Sequence, residues 1–384
     1  MNLKQFLENK PLFYEVIDTT RMPLAYESIK EHFRLPRIVH IVGTNGKGTT
    51  GRFLAQMLCF AGLHVGHYTS PHIAKFNERI WIDGRDIDDE ILEVYHQKLL
   101  SKLSPIFQET LSYFEYTTLL AMLYFCDQCD FIVLEAGLGG EFDATNVFEK
   151  VLSIITPIGM DHQSFLGESI GEIAQTKINS VKNDFVLAKQ YEKEVDLIAR
   201  EKASQISKKL FEAASFFEPL DHENITSFIE KQGYSAFLGD NFITAFCALR
   251  VLGYDNDLDT FQPFSLKGRC QKISSNVTID VGHNPMAALV LVKHFGKNKV
   301  TLVYNSLKDK DYYTILEILK PIIVEMQVIE IQSPRAVEQE ALYCSASSLG
   351  IPISPFLKIE EDKEYLVFGS FLVVEAFLKG IGEK

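Results

Sequence analysis

His40–Thr50 reads HIVGTNGKGTT, preceded by the apolar run Arg37–Val42 and followed by a helical pattern that continues to Ala61. A buried strand, a glycine-rich turn and a helix in that order form an anion-binding junction. Gly43, Gly46 and Gly48 let the backbone turn tightly and point its amides inward, the helix start adds the positive end of its dipole, and Lys47 adds a cation. A nucleotide triphosphate needs all three. The run departs from G-x-x-x-x-G-K-[ST], because Gly48 stands between Lys47 and Thr49. It therefore points to a nucleotide and leaves the reaction open.

Outward from this junction, short apolar runs alternate with amphipathic segments. Strands are expected at His64–Tyr68, Asp130–Glu135, Val151–Thr156 and Asp184–Ala188, with a helix over Tyr113–Cys126. Strands alternating with helices imply βαβ units and a parallel sheet, and the β-branched runs suit strands covered on both faces. A second series follows the loop-like PFSLKGR, with strands expected at Asn276–Asp280, Lys299–Tyr304, Ile322–Ile331 and Glu364–Phe368. The chain thus divides into a first unit, 1–264, and a smaller α/β unit, 265–384. Ser204–Gly239 shows no assignable pattern.

The 384 residues suit two or three domains, and 46% apolar with 23% charged residues is the balance of a globular protein with full cores. Thirty-eight basic against 51 acidic side chains leave −13, with no basic tail, which argues against a dedicated nucleic-acid binder. No apolar run is long enough to span a bilayer and the N-terminus lacks a signal-peptide pattern, so a cytoplasmic protein without membrane partners is expected. Six cysteines, including the lone C-x-x-C of Cys126 and Cys129, read as buried free thiols.

Glu135 ends the run FIVLE and Asp161 and His162 end ITPIGMDH, both at strand ends where ligands gather in parallel sheets. Beside a phosphate loop, an acid and a histidine there suggest magnesium ligands, although magnesium prefers oxygen. Lys177 follows His162 by fifteen residues, and an ammonium ligates nothing.

Seven motifs in order resemble one family: GTNGKGTT (Gly43–Thr50), YTSPHIAKFNERI (Tyr68–Ile80), YFEY (Tyr113–Tyr116), VLEAGLGGEFDATN (Val133–Asn146), IGMDHQSFLGESIGEIAQTK (Ile158–Lys177), GRCQ (Gly268–Gln271) and DVGHNP (Asp280–Pro285). The chain resembles the dihydrofolate synthase/folylpolyglutamate synthases, a branch of the Mur ligase superfamily. The likeness implies a P-loop NTPase-like parallel-sheet ATP-binding domain followed by a smaller Rossmann-like glutamate-ligase domain. Carried over residue by residue, ATP would meet Asn45, Gly46, Lys47, Gly48, Thr49, Asn241, Arg269, Asp280 and His283. Two magnesium ions would use Ser70, Glu135, His162 and a carbamylated Lys177, and the catalytic residues would be Lys47, His162, Lys177 and Arg269. The pteroate pocket would take Ser112, Tyr113, Phe114, Glu115, Phe142, Asp143 and Ala144. The chain departs from the family pattern at Glu141 (usually Arg), at Lys177–Ser180 (KINS, usually Lys-Ala-Gly-Ile) and at Leu238–Asp240, where His-Gln usually precedes the asparagine.

The implied chemistry is ATP-dependent addition of L-glutamate to dihydropteroate and to tetrahydrofolate polyglutamates through an acyl phosphate, by a monomer. YFEY followed by FDATN resembles the bifunctional members, against a synthase of one activity. A cell-wall Mur ligase would need a UDP-sugar domain, for which the 42 residues ahead of Gly43 are too few. A P-loop kinase leaves the DVGHNP unit unexplained.

Overall fold

The computed structural model describes residues 1–11, 18–161, 163–263 and 266–382. Arg37–Val42 forms β1 at the centre of an eight-stranded sheet. The other strands are β2 (Val65–Tyr68), β3 (Ile80–Ile82), β4 (Arg85–Asp86), β5 (Phe131–Glu135), β6 (Leu152–Ile155), β7 (Phe185–Leu187) and β8 (Leu210–Glu212). Their order is β4-β3-β2-β5-β1-β6-β7-β8. The strands from β2 to β8 run parallel, whereas β3 and β4 add an antiparallel edge.

Period-two alternation sorts the central strands into two cores. Ile38, Ile132 and Leu134 face Tyr116, Leu119, Leu120 and Leu123 of helix Tyr113–Gln128. Val39, Ile41 and Val133 face the phosphate-loop helix Lys47–Phe60 and helix Ala236–Val251, through Phe53, Leu54, Met57, Phe242 and Phe246. Each such side chain, fully buried, contributes about 1.5–3 kcal/mol. Together they fix the helix that carries Lys47 against the strand that feeds it.

The second sheet contains β9 (Gln271–Ser274), β10 (Val277–Ile279), β11 (Val300–Tyr304), β12 (Ile323–Val328), β13 (Ile353–Pro355) and β14 (Tyr365–Phe368). Its order is β13-β12-β11-β14-β10-β9, parallel except for the β9–β10 pair. The expected strands all form, within one to three residues at each end. Three further features are not apparent from the pattern. β3, β4, β8, β9 and β13 are short and lie at or next to sheet edges, where a run of two to four residues carries no usable period. The expected strand Ile322–Ile331 ends at Val328. The stretch Ser204–Gly239 resolves into the end of helix Lys193–Ile206, β8, helix Pro219–Lys231 and the start of helix Ala236–Val251.

Candidate active site

The phosphate loop joins the end of β1 to helix Lys47–Phe60. The Thr44 and Asn45 amides both donate to the Pro157 carbonyl, which ties the loop to the end of β6. Gly46 occupies the helix N-cap at φ +80° without a capping side chain. The first-turn N–H groups therefore remain available to an anion. A side chain at Gly46 would collide with the Asn241 amide, because that side chain packs directly against the loop.

Ile41 of β1 pairs with Glu135 of β5, which sets the Glu135 carboxylate beside the loop. Its Oε1 lies 3.9 Å from Lys47 Nζ, and its Oε2 accepts from the Thr69 hydroxyl and from the Ser70 amide at 3.3 Å. Gly48 fits between these groups: a Cβ there would lie 3.1 Å from Thr69 Oγ1, 3.3 Å from Glu135 Oε2 and 3.6 Å from Arg269 Nη2. Carboxylate and hydroxyl oxygens at a phosphate loop are the hard donors that magnesium prefers.

Lys177, in helix Ile170–Ile178, is 4% exposed and donates to the Gly43 carbonyl at 3.0 Å. Burial, with the nearby Lys47 charge, pushes its ammonium down to about 7, so near neutrality much of it is the free amine. His162 lies outside the described residues. Its neighbour Asp161 accepts from Lys310 Nζ at 2.6 Å and lies 3.6 Å from His283 Nε2.

The second sheet's loops supply the opposite wall. Arg269 Nε donates to Thr49 Oγ1 at 3.3 Å, and its guanidinium rests 5.3 Å from the Phe371 ring. Burial lowers its pKa, with Asp280 and Glu135 acting the other way. Asp280 accepts from the Cys270 and Gly282 amides, and burial raises its pKa. Asn45 and Asn284 exchange side-chain hydrogen bonds of 3.2 and 2.8 Å, and Asn284 also caps helix Pro285–Phe295. Asn241 accepts from Thr50 Oγ1 at 3.3 Å, while its amide nitrogen, buried, has no partner among the described residues. A bound group with an acceptor would satisfy it.

The pteroate candidates form two groups. Ser112 caps helix Tyr113–Gln128 in a reciprocal box with Glu115, which also pairs with Arg21 at 2.8 Å. Tyr113 lies 5.4 Å from the Arg79 guanidinium, and the Phe114 ring packs on Gly137. Phe142 is 60% exposed and Ala144 is buried. The Asp143 carboxylate accepts from the Gly137, Leu138 and Thr145 amides and the Thr145 hydroxyl, so it organises its own loop. Asp143→Ala takes the acceptor from four donors, the two of Thr145 buried and the Gly137 and Leu138 amides partly buried. It is expected to cost about 2–4 kcal/mol in urea unfolding, since each orphan costs roughly 1–3 kcal/mol before relaxation. A loss below 1 kcal/mol would show that the loop repairs itself.

Two of the departures from the family pattern meet: Asn179 Nδ2 donates to Glu141 Oε2 at 3.0 Å. At the third, Asp240 faces Lys189 at 3.5 Å. Sequence reasoning did not single out Thr69, Lys310 or Asn284. Each is a common residue type that becomes notable only once distant segments meet, 149 positions apart for Asp161 and Lys310.

No protein-family model matches the chain. A dihydrofolate synthase/folylpolyglutamate synthase from Haemophilus influenzae is 31% identical over 392 aligned residues, covering 89% of this chain and 88% of that protein. A crystal structure of Helicobacter pylori folylpolyglutamate synthetase is 38% identical, with TM-score 0.80, covering 100% of this chain and 98% of that one. A bifunctional folylpolyglutamate synthase/dihydrofolate synthase from Yersinia pestis, complexed with AMPPNP and a Mn ion, is 25% identical with TM-score 0.82, covering 99% and 98%. A phosphate loop faced by an arginine from a second α/β unit defines the class, an ATP-dependent ligase. Within that class, the chain belongs to the dihydrofolate synthase/folylpolyglutamate synthase family.

Proposed function

We propose that the protein joins the α-amine of L-glutamate to the carboxylate of dihydropteroate, and also to that of tetrahydrofolate or its polyglutamates, at the expense of ATP. The observation that carries this reading is the convergence of Lys47, Glu135 and Arg269 around Gly48. One cleft there offers two cations and a carboxylate to a triphosphate.

In the reaction, the acceptor's carboxylate oxygen attacks the γ-phosphorus, the β–γ bridge breaks and ADP leaves. The glutamate amine then attacks the acyl carbon, loses its proton, and phosphate departs. Phosphoryl transfer of this kind asks the protein for position and charge more than for covalent help. Lys47, the first-turn amides and Arg269 hold the phosphates, Asp280 and His283 lie toward the ribose, and Asn241 toward the base. Asn45, Gly46 and Thr49 complete the loop.

Ser70 and Glu135 would hold one divalent ion, and His162 with Lys177 a second. Such ions neutralise charge developing on the transferred phosphoryl group. A free Lys177 amine takes up carbon dioxide as R–NH₂ + CO₂ → R–NH–COO⁻ + H⁺, which replaces a cation by an oxygen ligand. Ser112, Tyr113, Phe114, Glu115, Phe142 and Ala144 border the pteroate side, with Asp143 shaping the loop. We place the division between the units at residues 264 and 265. Because Arg269 and Thr49 come from different units, closing the cleft both completes the site and keeps water from the acyl phosphate.

The test supplies ATP, magnesium and glutamate with dihydropteroate or tetrahydrofolate separately. ADP release that requires glutamate is expected with both. The Helicobacter pylori relative bears the folylpolyglutamate name alone, and release with tetrahydrofolate only would favour that second reading. Release with neither overturns both.

A further inference from the structure

A cavity of about 330 Å³ opens beside the phosphate-loop helix, where the two sheets' loops meet. Arg52 of that helix, His67 of β2 and Trp81 of β3 line it with Lys267 and Phe371 from beyond residue 265, and Gly48, Thr49 and Arg269 of the nucleotide site form its border. None of Arg52, His67 and Trp81 has a part in the phosphotransfer described above. The volume falls at the lower end of small-molecule sites, about 300–1,000 Å³.

Two polar groups at this cavity are uncommitted. His67 is fully buried, yet neither ring nitrogen has a hydrogen-bond partner among the described residues. Buried polar groups are nearly always paired, so this one requires a partner. Burial also holds the ring neutral, which leaves it one N–H donor and one acceptor. Arg52 stacks 4.5 Å from the Trp81 ring and makes no hydrogen bond or ion pair among the described residues. Burial lowers its pKa to about 10, which still leaves it cationic at neutral pH.

The neighbouring acids are already engaged. Glu78 accepts from the Ile73, Ala74 and Lys75 amides. Asp86 lies 3.6 Å from Lys267, and Glu135 is held by Thr69, Ser70 and Lys47. A guanidinium with free, forked donors beside a neutral imidazole matches one ligand chemistry, an oxyanion.

We propose that this cavity binds a small oxyanion, a phosphate or a carboxylate, whose oxygens accept from Arg52 and from the His67 ring N–H. The bound anion sits between Trp81 on one side and Lys267 and Phe371 on the other. It would therefore bridge the two halves of the cleft on the Arg52 side of the phosphate loop, with Gly48, Thr49 and Arg269 between it and the nucleotide.

Trp81 is the only tryptophan of the chain, so its emission reports directly on the cavity. The experiment titrates the protein with inorganic phosphate and, separately, with succinate. AMPPNP is present at saturation, so that the phosphate loop is not the responder. A saturable change with either probe is expected, and the responding probe identifies the source. Arg52→Gln is expected to weaken it about tenfold or more, the scale of hydrogen bonds to a charged group. Arg52→Lys, which keeps the charge and loses the fork, is expected to fall between. The proposal is overturned if neither probe gives a saturable change, or if binding is unaltered in Arg52→Gln. Should that variant fail to fold, unaltered binding in Arg52→Lys overturns it equally.

Discussion

Lys177→Ala is expected to slow glutamate-dependent ADP release about 10²–10³-fold, the usual cost of removing one preorganised electrostatic group. Its melting temperature should be unchanged or higher. The reason is that Lys177 is held where an ammonium is poorly tolerated. It is 4% exposed, Lys47 acts against its charge, and its amine has the Gly43 carbonyl as a partner. Alanine removes a desolvated amine without leaving a buried charge unpaired, so folding loses little. Catalysis loses the oxygen ligand that a carbamate would supply. A small added carboxylate, such as acetate, should therefore restore part of the rate by occupying the vacated space. Full activity in the alanine variant contradicts the carbamate role. Loss of rate without rescue, accompanied by a lower melting temperature, would assign Lys177 to packing alone.

The sequence exposes some parts of this site and hides others for a physical reason. Glu135 is legible because a parallel strand buried on both faces reads as an apolar run, and an acid at its end has only one place to go. The phosphate loop is legible because its requirements are local: glycines for the turn, a lysine and a helix start. Arg269 and Asp280 enter through resemblance, since nothing in GRCQ or DVGHNP by itself announces a phosphate contact. The Asp161–Lys310 pair and the Asn45–Asn284 exchange are not legible at all. They join segments whose meeting depends on how two separate sheets pack, which no local period encodes.

Asp143 shows a further limit. Its position in FDATN is compatible with ligand binding, whereas its oxygens are taken up by the loop that presents the neighbouring side chains. A carboxylate that shapes a pocket and one that touches a substrate look alike in sequence. Only the hydrogen-bond partners separate them. His67 presents the reverse case, a polar residue within a core-like run whose ring nitrogens lack a partner among the described residues, which becomes visible only in three dimensions.

Gly46→Ala is expected to destabilise the protein by about 2–5 kcal/mol and to weaken AMPPNP binding about 10²-fold. The stability loss has two separable parts. A non-glycine residue at φ +80° costs about 1–2 kcal/mol wherever it occurs, and overpacking adds roughly 1–3 kcal/mol. The overpacking arises because the new Cβ would run into Asn241 Oδ1. Gly62 supplies the control, with φ +87° and nothing among the described residues within 4 Å of its would-be Cβ, so Gly62→Ala should show only the first part, about 1–2 kcal/mol. Asn241→Ala combined with Gly46→Ala should recover part of the difference, with a coupling of about 0.5–3 kcal/mol for groups in direct contact. The binding loss follows from displacement, because amides moved by about 1 Å can forfeit 10²-fold in a positioned interaction. If Gly46→Ala and Gly62→Ala unfold alike and AMPPNP binds both equally, the close approach of Asn241 to the loop has no energetic weight. If only the double variant regains stability while nucleotide binding stays weak, Asn241 does more than leave room for the loop: its amide, without a partner among the described residues, then contributes directly to holding the nucleotide.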